Sequence, residues 1–320
     1  MFVTETDNDA LNFRISATKA GYIEDPYVLH FQNRNSLPRP PLINRGTFVR
    51  TWSIDALCEE FILRVPGMKQ IISLGAGTDT RVFRFLAKYG PSKFVYHEFD
   101  FLVNCVKKLR VISRHKDMSD LLGGPDGFKI DARQGTLRSA SYNLTSMDIN
   151  DLAKQPLLEH IRPDLPTILL SECCLCYLSV GGVDAIYQWA TSTFPSLMTI
   201  IYEPIRSSDP FGAMMVRNLS ARGITMPTLS HYDTPDDQKK RMREYGFSFC
   251  NALDFYEIEK QWFSQELVKR LNHIEMLDEL EEWALLASHY CLVYAISKKC
   301  EESIKQNKDL SDHNTKLFPF

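Results

Sequence analysis

Residues 70–80 read QIISLGAGTDT, a short apolar run that breaks into a glycine-rich turn. Glycines at the end of a buried strand let a ligand press against the backbone, so this turn decides the fold. A P-loop is excluded, because no Lys-Ser or Lys-Thr pair follows at the required distance. A dinucleotide fingerprint would place a third glycine where Thr80 stands, and its absence weakens a nicotinamide reading. Alone, the pair Gly75 and Gly77 suits several nucleotide-like ligands.

Working outward, SIDALCEEFILRV upstream puts Ile54, Leu57, Phe61 and Ile62 on one helical face. Strand-like runs follow: QIISL, KFVYHEF, RSASYN, TILLSE, LMTIIYE, SFCNAL and HYCLVYAIS. Helix-compatible stretches separate them, which predicts an α/β chain with a mostly parallel sheet covered on both faces. Two regions exceed that alternation, residues 1–65 and 205–246. Insertions of such length are usually functional, and both are expected to form a cap over the crevice. The expected plan is a helical cap segment (1–65), a core (66–204), a cap insertion for substrate recognition (205–246), the returning core (247–299) and a polar tail (300–320).

The second strand ends at Asp100, where an acid can accept from ribose hydroxyls. The fourth ends at Glu172, whose carboxylate would repel a pyrophosphate but welcome an ammonium and a sulfonium. The crevice therefore favours S-adenosylmethionine over NAD.

Bulk properties exclude other classes. The 320 residues carry a net charge of -3, which gives no general attraction to nucleic acid or an anionic membrane. No apolar stretch approaches the roughly 20 residues of a span. The acidic N-terminal MFVTETDNDALNF lacks the order of a signal peptide. A cytoplasmic protein with access to the nucleus is expected. Eight scattered cysteines do not make a disulfide scaffold. Cys173 and Cys176 have C-x-x-C spacing, but no second pair completes a zinc site, so packing at a strand end is the plainer expectation over a redox role.

GYIEDPYVLHF, INRGTFVRT, IISLGAGTDTRVFRF, EFDF, SECCLCYL, DPFGAMMVRNL and LDELEEWALLASHYCLVYA occur in that order. Together they resemble the leucine carboxyl methyltransferase family. That resemblance implies a class I S-adenosylmethionine-dependent methyltransferase, Rossmann-like, with a seven-stranded mostly parallel sheet and an added helical cap. It implies an enzyme that methylates the C-terminal leucine carboxylate of the type 2A protein phosphatase catalytic subunit and so regulates holoenzyme assembly, using no metal and yielding S-adenosylhomocysteine. Carried across by position, Arg14, Arg50, Gly75, Asp100 and Glu172 are the cofactor-binding residues. Arg50 and Tyr177 are the catalytic pair, holding the leucine and cofactor carboxylates. Family members often carry lysine where Arg14 stands, and arginine keeps the charge but not the shape. The adenine-side Asp-Leu of the family aligns best with Asn143 and Leu144, with Asp148 as the alternative.

The reaction asks for no base, since a terminal carboxylate of pKa about 3.3–3.7 is already ionised. His289 is therefore expected to be structural, Met214 and Met215 to pack the cap, and KKRMRE to be a solvated helix face. The cap around 206–246 is expected to dock the phosphatase, and the chain to be a monomer. Rival readings are a methyltransferase for a small metabolite or a modified RNA base, a non-catalytic S-adenosylmethionine-binding escort of the phosphatase, and an NAD enzyme. The RNA branch would need a propeller-like domain after Phe320, which is not expected.

Overall fold

The computed structural model describes residues 3–32 and 37–306. Its centre is β1 (Lys69–Leu74), buried at every position. Parallel neighbours flank it, β2 (Phe94–Asp100) on one side and β6 (Thr167–Glu172) on the other. Beyond β2 lie β5 (Tyr142–Ser146), β4 (Thr136–Ser139) and β3 (Phe128–Asp131). Beyond β6 lie β7 (Leu197–Pro204), β9 (Tyr290–Ile296) and β8 (Phe249–Asp254).

The sheet thus has nine strands in the order β3-β4-β5-β2-β1-β6-β7-β9-β8. Seven of them, β5 through β8, make the expected class I sheet, parallel except at β9, which runs antiparallel to both β7 and β8. The other two are an antiparallel edge hairpin on β5. Its formation corrects the reading of RSASYN as one strand. Ser139 and Tyr142 exchange hydrogen bonds across a turn, so the run splits between β4 and β5.

Strand alternation builds two cores. Ile71 faces a cluster with Phe83, Tyr96, Ile168 and Leu292. Ile72 faces another with Phe99, Leu169, Ile186 and Val293. The first face is covered by α2 (Pro41–Arg64), α3 (Arg81–Tyr89) and α4 (Leu102–Arg114), and the predicted stripe Ile54, Leu57, Phe61 and Ile62 is buried on α2. The second face is covered by α6 (Val180–Thr193). In chain order the other helices are α1 (Val3–Ala20), α5 (Lys116–Leu121), α7 (Pro210–Ala221), α8 (Pro235–Glu244), α9 (Phe255–Trp262), α10 (Gln265–Ile274), α11 (Leu280–Ser288) and α12 (Lys298–Gln306).

The segment 205–246 divides. Helix α8 packs on β8 and β9 as part of the sheet layer, and Arg241 within KKRMRE is buried, ion-paired with Glu203 at 3.3 Å and set over the Tyr232 ring. Only part of that run is a solvated face. Helix α7, with Arg222 and Met226 after it, lines the cavity beside the crevice. Conversely, residues 255–288, expected as core, are helices α9 to α11. They join α2 through Arg45, which bonds Glu259 and Asn272, and through the amide of Asn44, which donates to Glu275 at 2.9 Å. The expected tail from 300 begins inside α12, whose Cys300 and Ile304 are buried. Its remainder, 307–320, lies outside the described residues, as do positions 33–36 of the proline-rich stretch. No helix among the described residues is long and apolar enough to cross a membrane.

Candidate active site

Strand register assembles the site. Leu74 pairs with Phe99 on β2 and with Ser171 on β6. The next residues along each strand, Gly75, Asp100 and Glu172, therefore emerge side by side at the carboxyl edge of the sheet. A cleft of about 270 Å³ opens there. Gly75 and Gly77 adopt φ of +61° and +50°. A Cβ on Gly75 would lie 2.6 Å from the sulfur of Cys174, and one on Gly77 would lie 2.3 Å from a carboxylate oxygen of Asp7. The backbone is bare on the cleft side because nothing larger fits.

Asp100 is buried and accepts hydrogen bonds from the amides of Gly77 and Phe101, each at 2.6 Å, and from the Asn104 side chain at 2.8 Å. Burial raises its pKa, and those donors offset part of the rise. Glu172 closes the other side. Its Oε1 accepts from Arg50 Nε at 2.5 Å, and Oε2 from Arg81 Nη1 at 3.2 Å. Burial would raise Glu172, but Arg50 and Arg81 outweigh it and hold the carboxyl below its ordinary value. Arg50, on α2, stands 4.6 Å over the Tyr202 ring. Its terminal nitrogens make no hydrogen bond with the described residues, so they can take a carboxylate.

Helix α1 roofs the cleft. Arg14 donates to the Thr78 hydroxyl at 2.8 Å and reaches Asp79 at 3.4 Å. Asp7 accepts from the amide and hydroxyl of Thr78 at 2.7 and 2.6 Å. Tyr177 sits where this cleft meets a second cavity of about 370 Å³, lined by Phe211, Met214, Met215, Leu219, Met226 and Tyr290. The Tyr177 hydroxyl takes a hydrogen bond from Thr6, and burial raises its pKa.

Of the residues singled out in the sequence, Arg14, Arg50, Gly75, Asp100, Glu172 and Tyr177 all line the first cleft. Asn143 and Leu144 do not. Both are buried inside β5, where Asn143 pairs with His97 and Leu144 with Glu98, short of the sheet's carboxyl edge. Asp148, two residues beyond the strand, lines the cleft and caps the following turn by accepting from Asn150 N. Of the two adenine-side alternatives, Asp148 is therefore the one that faces the cleft, with Ile149 beside it in the same lining. Met214 and Met215 line the second cavity rather than packing the cap, and Met214 is half exposed. His289 is buried with its ring nitrogens against Leu285 O at 2.7 Å and Asp209 at 2.9 Å, a structural placement.

Sequence reading missed Thr6, Asp7 and Asp9, which reach the cleft only because α1 folds back across it. It also missed Asp79 and Arg81. Asp-Thr-Arg directly after a glycine turn was the available signal, an acid and a base brought together by one turn of chain. One cluster elsewhere has the chemistry of a cation site. His30, His115 and Asp117 place ligand atoms within 4.8 Å of one another, away from both cavities.

The strand order, the bare glycine turn and an acid at the end of β2 define a class I S-adenosylmethionine-dependent methyltransferase. A solved structure from Thermobifida fusca assigned to the methyltransferases matches the fold with a TM-score of 0.52 and 13% identity, covering 81% of this chain and 84% of that one. The family model described as leucine carboxyl methyltransferase matches residues 3–191, and the chain belongs to that family. Leucine carboxyl methyltransferase 1 of Schizosaccharomyces pombe is 47% identical over 93% of this chain and 95% of its own length. Leucine carboxyl methyltransferase 1 of Emericella nidulans is 39% identical over 92% and 85%.

Proposed function

We propose that this enzyme methylates the α-carboxylate of the C-terminal leucine of the type 2A protein phosphatase catalytic subunit, and through it regulates holoenzyme assembly. The observation that carries the reading is the meeting of two cavities at Tyr177 and Cys173. One has the bare glycine turn. The other is lined by methionine, leucine and aromatic side chains, a fit for an aliphatic terminal residue.

S-adenosylmethionine, when bound, supplies an electrophilic methyl on a sulfonium. Gly75 and Gly77 would let it approach the backbone, Asp100 would accept from its ribose, and Asp148 with Ile149 would meet its adenine. Arg14 and Arg50 would take its carboxylate, with Glu172 receiving its ammonium. The site's own residues already balance these charges among themselves, so binding exchanges partners rather than burying bare ions.

The chain's own task at the reacting centre is alignment and exclusion of water. The terminal leucine carboxylate arrives ionised, so no side chain needs to remove a proton. Arg50 and Tyr177 would hold one carboxylate oxygen and leave the other free to bond the methyl carbon as the carbon–sulfur bond breaks. Tyr177, with its pKa raised, stays protonated and donates throughout. Helix α1 roofs the centre, and α7 supplies the pocket for the side chain. We further infer a cytoplasmic monomer that needs no metal, with the exposed side of α7 docking the folded phosphatase to raise the local concentration of its tail.

The test uses purified protein, methyl-labelled S-adenosylmethionine and a cytosolic extract. Base-labile label is expected on a band of phosphatase catalytic-subunit size and lost when the terminal leucine is deleted. Label confined to small molecules or RNA would refute the substrate. Cofactor binding without any transfer would refute the enzyme role and leave an escort.

A further inference from the structure

The transfer chemistry uses none of the three cysteines between Glu172 and Tyr177. Cys174 and Cys176 are buried, and Cys174 packs against the bare face of Gly75. Cys173 is different. It is half-buried and lines both cavities, so a small molecule entering either one meets this residue. Its thiol is hydrogen-bonded to that of Cys176, and the Arg50 guanidinium stands close by. Cys173 is also the residue that carries the turn, at φ +52°.

The thiols have unequal chemistry. The hydrogen bond from Cys176 leads in lowering the Cys173 pKa; burial opposes it, and Arg50 adds to the lowering. Burial pushes Cys174 and Cys176 the other way. One accessible, activated thiol beside one buried partner is the arrangement of an attacking and a resolving cysteine.

We propose that Cys173 and Cys176 form a peroxide-sensitive dithiol whose closure to a disulfide reversibly stops methyl transfer. The co-reactant is a hydroperoxide, with hydrogen peroxide the simplest. The Cys173 thiolate attacks one peroxide oxygen. A sulfur–oxygen bond forms, the oxygen–oxygen bond breaks, and the second oxygen leaves as water after protonation. The sulfur has given two electrons to the peroxide and is now a sulfenic acid. Cys176 then attacks that sulfur. The sulfur–sulfur bond forms, the sulfur–oxygen bond breaks, and a second water leaves. In sum, two thiols and one hydrogen peroxide give one disulfide and two waters.

Closure acts on the reaction because the bridged residues adjoin Glu172 and Tyr177. Drawing the sulfurs to a bond of about 2.04 Å moves the backbone that carries both side chains. A displacement of about 1 Å in a positioning group costs about a hundredfold in rate.

The experiment treats the full chain with hydrogen peroxide, blocks remaining thiols, and reads peptide masses before and after dithiothreitol. The wild type is expected to lose two hydrogens within the peptide spanning 173–176 and to regain them on reduction. Activity should fall about a hundredfold and return in step. Cys174→Ser should form the 173–176 bridge as the wild type does. Cys176→Ser should retain basal activity and yield a dimedone adduct on Cys173, whereas Cys173→Ser should give neither bridge nor adduct. S-adenosylmethionine should slow oxidation by filling the cleft. A wild type that keeps both thiols, or a bridge that survives in Cys173→Ser, would overturn the proposal. If the variants fold poorly, residue-resolved alkylation of the wild type decides. Cys173 must react first of the eight cysteines and be shielded by cofactor, and equal rates without shielding would overturn it. The mass readout does not depend on the methyl acceptor, so failure of the phosphatase assignment leaves this test intact.

Discussion

Replacing Arg50 by lysine separates charge from shape at the centre of the site. Arg50 engages Glu172 through Nε at 2.5 Å and keeps its terminal nitrogens for a carboxylate, while its plane lies 4.6 Å over Tyr202. Lysine has one nitrogen and can serve Glu172 or a ligand carboxylate, not both with the same geometry. The variant loses one charge-assisted hydrogen bond, about 1.5–3 kcal/mol. It also loses ring stacking of about 0.5–1 kcal/mol. The sum, about 2–4 kcal/mol, predicts a fall in kcat/KM of about 30- to 1000-fold. Thermal stability should hardly move, because Glu172 keeps Arg81 at 3.2 Å and the lysine keeps the charge. The assay is transfer of labelled methyl to the phosphatase catalytic subunit, with cofactor affinity by calorimetry and Tm measured alongside. If Arg50→Lys stays within about threefold of wild type, the guanidinium is not holding a reacting carboxylate and the catalytic assignment is wrong.

Gly77→Ala places a Cβ against the Asp7 carboxylate and forces a left-handed backbone on alanine, which costs about 1–2 kcal/mol. The roof helix α1 should then become sensitive to limited proteolysis and cofactor affinity should fall; an unchanged digestion pattern would count against α1 as the roof. Arg241→Ala strands the buried Glu203 and should cost about 3–5 kcal/mol in urea unfolding. The double variant Arg241→Met with Glu203→Gln should recover most of that, and no recovery would contradict the ion-pair account. His97 is buried with neither ring nitrogen bonded, and its pKa is lowered to about 3, mainly by burial and then by His160. Because the folded value lies below the unfolded one, protons bind preferentially to the unfolded chain as pH falls from about 6.5 to 3. The folded state should lose about 3 kcal/mol from this group by pH 4.5. His97→Leu should flatten that acid limb, and an unchanged slope would refute the assignment.

What could be read from the sequence follows how local the determining physics is. Gly75, Asp100 and Glu172 each end a short apolar strand, so the pattern that makes the strand also marks the residue at its mouth. Asn143 and Leu144 fall short of the cleft for a reason of the same kind. Residues 138–143 look like one strand, and only the exchange of bonds between Ser139 and Tyr142 moves the strand end toward Asp148. Arg241 was hidden because a run of charge reads as solvated unless a tertiary partner is known. Glu203 lies 38 residues away in sequence. That residues 1–65 cap the crevice was expected, and Arg14 was singled out, but the contacts by which α1 crosses it could not be read. Its contacts with Thr78 span 64 and 71 residues, and nothing in VTETDNDALNF marks a helix that will lie across a distant turn.

These long-range contacts also explain how a site crowded with ions can be both stable and receptive. Arg50 and Arg81 neutralise Glu172, Arg81 also binds Asp79, and Arg14 sits between Thr78 and Asp79. Glu172 and Arg14 are therefore each backed by a second partner that remains when the first is given up. A zwitterion entering the cleft can exchange with Glu172 or Arg50 while Arg81 stays fixed, so reorganisation is confined to the outer members of the network. The same argument places the sensitivity of the site. Removing an outer member such as Arg50 should harm binding and transfer with little effect on folding. Removing Arg81, which is buried and bonds Asp55, Asp79 and Glu172 at once, should leave each of these carboxylates with a single arginine, Arg84, Arg14 and Arg50 respectively, and destabilise the turn itself.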